Sequence, residues 1–143
     1  METKQPSMID LLIETHIGLK RQGPGSPETV MRALEFLKPL DRFSQIADLG
    51  CGTGGQTMLL AQHLSGAITG LDMFPNFIDV FNKNAKNAHY ENRVTGIVGS
   101  MENLPFEKNS LDLIWSEGAI DSIGFQEGLT HWHGFLKKAV LLR

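Results

Sequence analysis

Short apolar runs alternate with amphipathic stretches along most of this chain, and the alternation predicts strands separated by helices. The predicted strands are short and mostly apolar, and they span 45–48, 67–71, 94–98 and 111–115. The helices that follow them carry apolar residues at three- and four-residue spacing, and they span 56–64, 75–88 and 126–138. A final apolar run at 139–142 has room for one more short strand. This order favours an α/β fold with a doubly wound parallel sheet that has helices on both faces.

Two helices are predicted ahead of the first strand. Ser7 is suited to cap the first of them, with Asp10 as its capping-box partner. An apolar stripe at helical spacing predicts that this helix covers an edge of the core, and it consists of Ile9, Leu12, Ile13 and Ile17. The second helix is predicted to begin with Ser26 as its cap and Pro27 at its first position, and to end at Pro39.

The segment 21–27 between these helices holds two glycines and two prolines, so it is predicted to be a loop. One interpretation is a plain connector. The other is a lid that closes over a ligand, because Arg21 and Gln22 are polar groups on a flexible base. We expect one domain overall, in which 1–44 supplies the N-terminal helices and the lid-like loop, and 45–143 supplies the core that binds the ligand.

The composition narrows the function classes. The chain has 143 residues and a formal net charge of −3, so a surface for sequence-independent nucleic acid binding is not expected. Asp10 and Glu14 interrupt the apolar residues near the N-terminus, and no run approaches membrane-spanning length. Cys51 is the single cysteine, which indicates a reducing compartment and a cytoplasmic location. The histidines lack the spacing of a metal-binding pair, so no metal site is expected.

The candidate chemistry lies where the predicted strands end. The first strand runs into the glycine-rich stretch 48–55, which leads into a helix and so forms a ligand site from backbone groups. A polar residue occupies the corresponding place at the end of each strand, and these residues are Asp48, Asp72, Ser100 and Glu117. Ligands of such sheets bind beyond the carboxyl ends of the strands, so the four residues predict a polar mouth around the site.

Two ligand classes fit the glycines. Gly50, Gly52 and Gly55 have the spacing of a dinucleotide-binding turn. Asp72 lies where an acceptor for ribose hydroxyls is expected in either class. Asp48 separates the classes, because a carboxylate at about 4 Å repels a pyrophosphate by about 1 kcal/mol in water and by more in a buried site. S-adenosylmethionine carries an ammonium and a sulfonium and no phosphate, and the turn amides could still bind its carboxylate. Asp48 could also be a structural acceptor for the turn's own amides, and the two interpretations are compatible.

Four segments of the sequence together resemble a known family. They are 48–54, which reads Asp-Leu-Gly-Cys-Gly-Thr-Gly, then 70–73, then 99–106 with its Leu-Pro-Phe tail, and finally 111–116. These segments resemble motifs of the class I S-adenosylmethionine-dependent methyltransferases, and the resemblance covers about 45–136. It implies a Rossmann-like fold and S-adenosyl-L-methionine as the cofactor.

The resemblance also implies which residues hold the methionine part of the cofactor. Asp48 would do so together with the glycine turn. The turn residues concerned are Gly50, Cys51, Gly52 and Gly54.

A second group of residues is implied for the nucleoside part. Asp72 would bind the ribose hydroxyls, and Met73 would pack on the adenine. Ser100 stands where many members of the family have an acid that accepts from the adenine amino group, and a hydroxyl accepts more weakly. Met101 would contribute its backbone amide.

Methyl transfer from a sulfonium is an in-line displacement, to which an enzyme contributes mainly positioning and desolvation. Glu117 is the candidate for orienting or deprotonating an acceptor, because it follows the fourth strand. The alternative for Glu117 is a helix-capping or solvent-facing carboxylate. The segment 116–119 lacks the Asn/Asp-Pro-Pro-aromatic motif of amino-group nucleobase methylation, which favours a small-molecule acceptor.

In the family that this sequence resembles, the domain normally continues after the helix that ends near Lys138. A further strand, a helix and an antiparallel pair of strands follow there. We therefore expect a truncated domain whose sheet is incomplete at its C-terminal side, with an exposed edge that favours a homodimer. Two alternatives to an active methyltransferase stay open. One is a cofactor-binding fragment without activity, and the other is an NAD-binding domain of the oxidoreductase type.

Overall fold

The computed structural model describes residues 5–138. Five α-helices and four β-strands follow one another in these residues, with a short 3₁₀ helix at Ile120–Ser122. The helices are α1 (Met8–His16), α2 (Pro27–Leu34), α3 (Gly55–His63), α4 (Pro75–Asn87) and α5 (Phe125–His133). The strands are β1 (Gln45–Leu49), β2 (Ala67–Asp72), β3 (Val94–Val98) and β4 (Leu113–Ser116). The run 139–142, for which the sequence predicts a further strand, lies outside the described residues.

The four described strands form one parallel sheet in the order β3-β2-β1-β4. Leu49, at the end of β1, pairs with Leu71 of β2 on one side and with Ser116 of β4 on the other. The direction in which strands are added changes after β3, because β4 pairs with the far side of β1. The predicted parallel α/β sheet is confirmed, and its switch point lies beside the glycine turn that follows β1.

Each face of the sheet has its own apolar core. Ile46 of β1 packs in a cluster that includes residues of α2, α3 and α4. Ala47 and Leu49 point the other way and pack in a second cluster with Trp132 of α5. Helices therefore cover both faces, as expected for a doubly wound sheet.

Helix α1 begins as predicted but does not cover the core. The capping box is present, because Ser7 Oγ accepts from the Asp10 amide at 3.1 Å and the Ser7 amide donates to Asp10 Oδ2 at 2.8 Å. No residue of α1 is buried, and Ile9 and Leu12 are 57% and 43% exposed. The prediction that this stripe covers a core edge is wrong, because the other helices already cover both faces of the sheet.

Helix α2 and strand β4 are shorter than predicted. The start of α2 is confirmed, since Ser26 Oγ accepts a backbone amide of the first turn at 3.2 Å, but the helix ends at Leu34 rather than at Pro39. Strand β4 begins at Leu113 rather than at Leu111. Leu111 instead makes an isolated bridge with the chain that follows α5.

The same bridge explains why α5 ends early. Leu111 donates its amide to the Phe135 carbonyl at 2.9 Å, so the chain leaves the helix after His133 and lies beside the start of β4. The sequence predicts an apolar face of α5 that includes Leu129 and Trp132. Trp132 is buried, as predicted, whereas Leu129 is 50% exposed.

One aromatic side chain joins α4 to the sheet. Phe81 is fully buried, and its ring lies directly against Gly70 of β2 and Gly96 of β3. A side chain at either glycine would overlap the ring, so the two glycines make room for Phe81 between the helix and the sheet.

We expect Phe81→Ala to lower the free energy of unfolding by about 3–5 kcal/mol, because it leaves a cavity between α4 and the sheet. Urea unfolding measures this change. Phe36→Ala is the matched control, since Phe36 is 83% exposed and its loss should cost less than about 0.5 kcal/mol. Equal costs for the two variants would contradict the central position of Phe81.

Candidate functional site

A cavity of about 450 Å³ opens at the carboxyl edge of the sheet. This volume lies within the range of about 300–1,000 Å³ that is typical of small-molecule sites. Residues after all four strands line the cavity, together with 21–24 from the loop before α2. The predicted site residues that line it are Gly50, Cys51, Gly52, Asp72, Met73, Ser100, Met101 and Glu117, whereas Asp48 and Gly54 do not line it.

Several lining residues were not predicted. Most of them adjoin predicted residues at the strand ends, and they are Phe74, Gly99, Glu102, Gly118 and Ala119. Including the one or two positions next to each predicted site residue would have found them. Gln56 of α3 lines the wall as well, and Ser122 and Ile123 come from the 3₁₀-helical region, for which the sequence carries no comparable signal.

Asp72 ends β2 with both carboxylate oxygens bonded to backbone amides. Oδ2 accepts from the Gly52 amide at 2.9 Å and Oδ1 accepts from the Phe74 amide at 3.0 Å. Burial raises the pKa of Asp72, and the backbone amides oppose that shift. Each oxygen keeps a further lone pair, so Asp72 is able to accept hydroxyl groups of a ligand.

The backbone amides of residues 50–54 all donate hydrogen bonds within the protein. Gly50 and Cys51 both donate to the Leu71 carbonyl, at 2.8 and 3.0 Å. The turn is thereby tied to the end of β2. The idea that these amides bind a ligand carboxylate is not supported, because each of them already has a protein partner.

Residues 20–25, called the strap below, run across the glycine turn. Gln22 Oε1 accepts from the Thr53 amide at 2.8 Å and from the Thr53 hydroxyl at 3.0 Å. The Gln22 amide group donates in turn to two backbone carbonyls just after α1 and at its end. Gln22 therefore caps the chain that enters α3, from a position 31 residues earlier in the sequence.

Two glycines of the turn make room for the strap. A Cβ atom at Gly52 would overlap Gln22, and a Cβ atom at Gly55 would overlap the Lys20 carbonyl. Gly52 also has a φ of +57°, a conformation that side chains disfavour. The glycines thus serve the packing of the strap as well as the cavity wall.

Arg21 of the strap reaches Glu117 after β4. Its Nη2 lies 2.5 Å from Glu117 Oε1, and the two side chains are only 19% and 14% exposed. Glu117 Oε2 accepts from Trp115 Nε1 at 3.3 Å. Glu117 therefore neither caps a helix nor faces solvent, and the ion pair joins the strap to the end of β4.

Asp48 lies behind the turn and is fully buried. Its Oδ2 accepts from the Thr57 hydroxyl at 2.6 Å, in the first turn of α3, and its Oδ1 has no hydrogen-bond partner among the described residues. Burial raises the pKa of Asp48 to about 7, and the charge of Glu117 acts in the same direction. Asp48 bonds to Thr57 rather than to the amides of the turn, which were its expected structural partners.

The wall after β3 carries the residues that were predicted for the adenine. Ser100 Oγ accepts from the Glu102 amide at 3.1 Å. The Met101 carbonyl accepts from Trp132 Nε1 at 3.0 Å, which fixes this segment to α5. Met73, on the neighbouring strand end, is 66% exposed and lines the cavity.

Within residues 5–138, no three His, Cys, Asp or Glu side chains are grouped so that they could hold a metal ion. No helix in this part of the chain has both the length and the apolar character needed to cross a membrane. Burial raises the pKa of the Cys51 thiol, which disfavours the reactive thiolate.

The buried carboxyl of Asp48 predicts a stability that falls as the pH rises. Below about pH 3.8 the group is protonated in both the folded and the unfolded state. Between that pH and about 7 only the folded state keeps the proton, so the free energy of unfolding decreases. Above about 7 both states are ionised and the loss is complete. The contribution lost across this window is roughly 4 kcal/mol.

Asp48→Asn should remove this contribution, because the amide does not titrate. Urea unfolding at a series of pH values across the window measures the difference between the variant and the wild type. Asp79→Asn, at an exposed position of α4, is the control and should keep the wild-type slope. If the free energy of unfolding of Asp48→Asn fell with pH as steeply as that of the wild type, Asp48 would not be the buried carboxyl that titrates.

The family model described as "Methyltransferase domain" matches residues 46–139. Malonyl-(acyl-carrier protein) O-methyltransferase from Herminiimonas arsenicoxydans is 31% identical over 93 residues, which are 64% of this chain and 33% of the relative. Sarcosine/dimethylglycine N-methyltransferase from Aphanothece halophytica is 29% identical over 117 residues, with 75% of this chain and 40% of the relative covered. The chain thus spans about a third to two fifths of the length of these curated relatives.

A solved structure has the same fold. Phosphoethanolamine N-methyltransferase 2 from Haemonchus contortus, in complex with S-adenosyl-L-methionine, matches with a TM-score of 0.72 at 24% identity. The match covers 89% of this chain and 30% of that protein. The Rossmann-like fold implied by the sequence motifs is therefore confirmed. Because the family model covers more than half of its residues, the chain belongs to the class I S-adenosylmethionine-dependent methyltransferases.

Proposed function

We propose that this chain binds S-adenosyl-L-methionine and takes part in methyl transfer to a small-molecule acceptor. The observation that carries the proposal is the single cavity wall built from the ends of four parallel strands, with Asp72 on that wall and the Arg21–Glu117 pair beside it. Membership of the family supports it.

The donor set of the cavity fits the nucleoside part of the cofactor. Asp72 would accept both ribose hydroxyls through the lone pairs that its backbone bonds leave over. Ser100 Oγ keeps one lone pair for the adenine amino group, although it already accepts from a backbone amide. Met73 would pack on the adenine through its exposed side chain, and Met101 would contribute its backbone amide.

The methionine part would lie along the glycine turn. Gly50, Cys51 and Gly52 present a surface without long side chains to the cavity. Asp48 and Gly54 stand behind that surface, so we propose that they shape the turn and that Asp48 acts through its charge. A cation in the cavity would favour the ionised form of this buried carboxyl.

The charges of the lining favour S-adenosylmethionine over NAD. Three carboxylates and one guanidinium line the cavity: Asp72, Glu102, Glu117 and Arg21. This excess of negative charge attracts a sulfonium and repels a pyrophosphate. An NAD-binding domain of the oxidoreductase type is therefore the weaker candidate.

The cofactor would supply an activated methyl group, and the residues of the chain would position the cofactor and the acceptor. The strap and the strand ends would hold the reactants in line and exclude water from the cavity, which is the lid role considered for segment 21–27. Glu117 is the residue proposed to orient the acceptor or to take its proton. Orientation is favoured, because both of its carboxylate oxygens face donors of the protein.

The acceptor is proposed only as a class. The names of the relatives specify chemically different acceptors, from malonyl-(acyl-carrier protein) to sarcosine and dimethylglycine. The net charge of −3 makes a nucleic acid acceptor unfavourable. A cytoplasmic location is proposed as well, since Cys51 is a buried free thiol. The second candidate function is cofactor binding without turnover.

A homodimer through the sheet edge is a further part of the proposal. Strand β4 pairs with β1, and within residues 5–138 no further strand pairs with its other side; the bridge between Leu111 and Leu136 lies just before β4. Such an edge offers backbone groups to a second copy. Sedimentation velocity at increasing concentration should show a dimer, whereas a monomer at every concentration would contradict this association.

Isothermal titration calorimetry with S-adenosylhomocysteine and with NAD tests the cofactor assignment. We expect S-adenosylhomocysteine to bind and NAD to bind at least 10-fold more weakly, because of the carboxylates in the lining. Asp72→Asn should weaken S-adenosylhomocysteine about 10-fold or more, since it loses a charge-assisted acceptor for the ribose.

Asp79→Asn serves as the control for this titration and should keep the wild-type affinity, because Asp79 is exposed on α4 away from the cavity. Tight binding of NAD with no binding of S-adenosylhomocysteine would overturn the proposed cofactor. An unchanged affinity in Asp72→Asn would remove Asp72 from the ribose site.

A further inference from the structure

Strand β3 lies at one end of the sheet, where among the described residues only β2 pairs with it. Its residues, 94–98, read Val-Thr-Gly-Ile-Val and include neither a charged residue nor a proline. Charged side chains and prolines are common means of keeping an edge strand from pairing with another chain. An uncharged strand rich in β-branched residues is instead the type of segment that accepts further strands. The residues of β3 therefore give this edge none of that protection.

The cation that precedes β3 is engaged elsewhere. Arg93 donates to the carbonyls of Leu64 and Gly66, at 2.8 and 3.1 Å, where the chain leaves α3. Its guanidinium carbon also lies 4.9 Å from the centroid of the Tyr90 ring. Arg93 thus holds the C-terminal end of α3 and does not serve as a charge on the open side of β3.

The backbone groups of β3 alternate between β2 and the outer edge. The Arg93 carbonyl accepts from Ile68 of β2 at 2.7 Å. Gly99 donates to the Asp72 carbonyl, at the end of the same strand, at 3.0 Å. Odd-numbered residues therefore face β2, as the parallel pattern requires. The residues whose amide and carbonyl groups face outward are Val94, Gly96 and Val98.

Asn82 of α4 occupies the central position of this edge. Its Oδ1 accepts from the Gly96 amide at 2.8 Å, and its Nδ2 donates to the Gly96 carbonyl at 3.1 Å. A residue of an added antiparallel strand would exchange the same two bonds with Gly96. The Val94 amide is occupied as well, because it donates to the Tyr90 carbonyl at 2.8 Å. A continuous ladder to another strand is thereby interrupted at Gly96 and at the start of β3.

The packing of α4 keeps the Asn82 amide in this place. Phe81, the preceding residue, is fully buried and lies against Gly96 from the face of the sheet. Two consecutive residues of α4 therefore hold Gly96, one from the face and one from the edge. Asn82 itself is exposed. Its amide consequently stands where an incoming strand would approach.

We propose that Asn82 closes the β3 edge against a second copy of this chain, because it makes the hydrogen bonds that β3 of that copy would otherwise make. The inference depends neither on the cofactor nor on methyl transfer. It goes beyond the proposed homodimer, since that dimer uses β4 at the other end of the sheet. Strand β3 leads into Gly99 and Ser100 of the cavity wall, so the closure also keeps a second copy away from that side of the cavity.

Cross-linking at β3 tests the closure. Thr95→Cys places a thiol at an exposed position of β3, and a short bismaleimide joins two such thiols when two copies pair through this strand. We expect at least 10-fold more cross-linked dimer when Asn82→Ala is added to Thr95→Cys, because Gly96 is then free to pair. Asn87→Ala, at an exposed position of α4, is the matched control and should not raise the yield. Cys51 is buried and does not compete for the reagent.

Asn82→Asp is the conservative variant for the same experiment. The carboxylate keeps the acceptor for the Gly96 amide and adds a charge at the edge, so the yield should stay near that of Thr95→Cys alone. A dimer through β4 would leave the Thr95→Cys thiols apart, so the result does not depend on whether that dimer forms.

Hydrogen exchange of the unmodified protein tests the contact without any variant. Gly96 and Val98 both face the outer edge, and Asn82 bonds only to Gly96. We expect the protection factor of the Gly96 amide to be at least 10-fold larger than that of the Val98 amide.

Three results would overturn the closure. The first is equal protection of the Gly96 and Val98 amides in the wild type. The second is an unchanged yield of cross-linked dimer when Asn82→Ala is added. The third is an equal rise in yield when Lys86→Cys, at an exposed position of α4, replaces Thr95→Cys. That result would mean that the variant aggregates without pairing through β3.

Discussion

The hydrogen bonds that the Leu71 carbonyl accepts from Gly50 and Cys51 are the constraint on which the site depends. They fix the chain leaving β1 to the end of β2, and the bond from Gly52 to Asp72 extends the same attachment by one residue. These bonds attach the inner side of the turn to the sheet and fix its conformation. The outer side of the turn forms part of the cavity wall and also contacts the strap. The backbone amides of this turn are therefore already bonded within the protein.

The strap depends on the turn in a second way. Gln22 supplies the acceptor for the Thr53 backbone amide and hydroxyl, at a helix start where Gly54 offers no side-chain cap. An unpaired buried amide costs about 1–3 kcal/mol, so removing the strap would expose or orphan this group. The strap therefore stabilises α3 while it narrows the cavity. Displacing the strap would therefore also loosen the start of α3.

The sheet and most of the cavity could be predicted because their signals are local. Strand ends carry polar residues at fixed places, and Asp72, Ser100 and Glu117 were placed on the cavity wall from that pattern alone. The contacts between the strap and the strand ends could not be predicted in the same way. Arg21 meets Glu117 across 96 positions of sequence, and loop residues carry no periodicity that reports such a contact. The prediction that α1 covers an edge of the core is wrong for a related reason. Periodicity indicates an apolar stripe but does not show what packs against it.

The glycine pattern illustrates the difference between a motif and its physical cause. Gly52 and Gly55 have the spacing of a nucleotide-binding turn, yet the atoms nearest to their missing side chains belong to Gln22 and Lys20. Close approach of the strap would require small residues there whatever ligand the cavity accepts. The glycines alone thus do not distinguish a sulfonium cofactor from a dinucleotide. Charge does distinguish them, because the acids that line the wall, Asp72, Glu102 and Glu117, raise the energy of any phosphate and lower that of a cation. The choice of cofactor therefore rests on where the sequence places its acids.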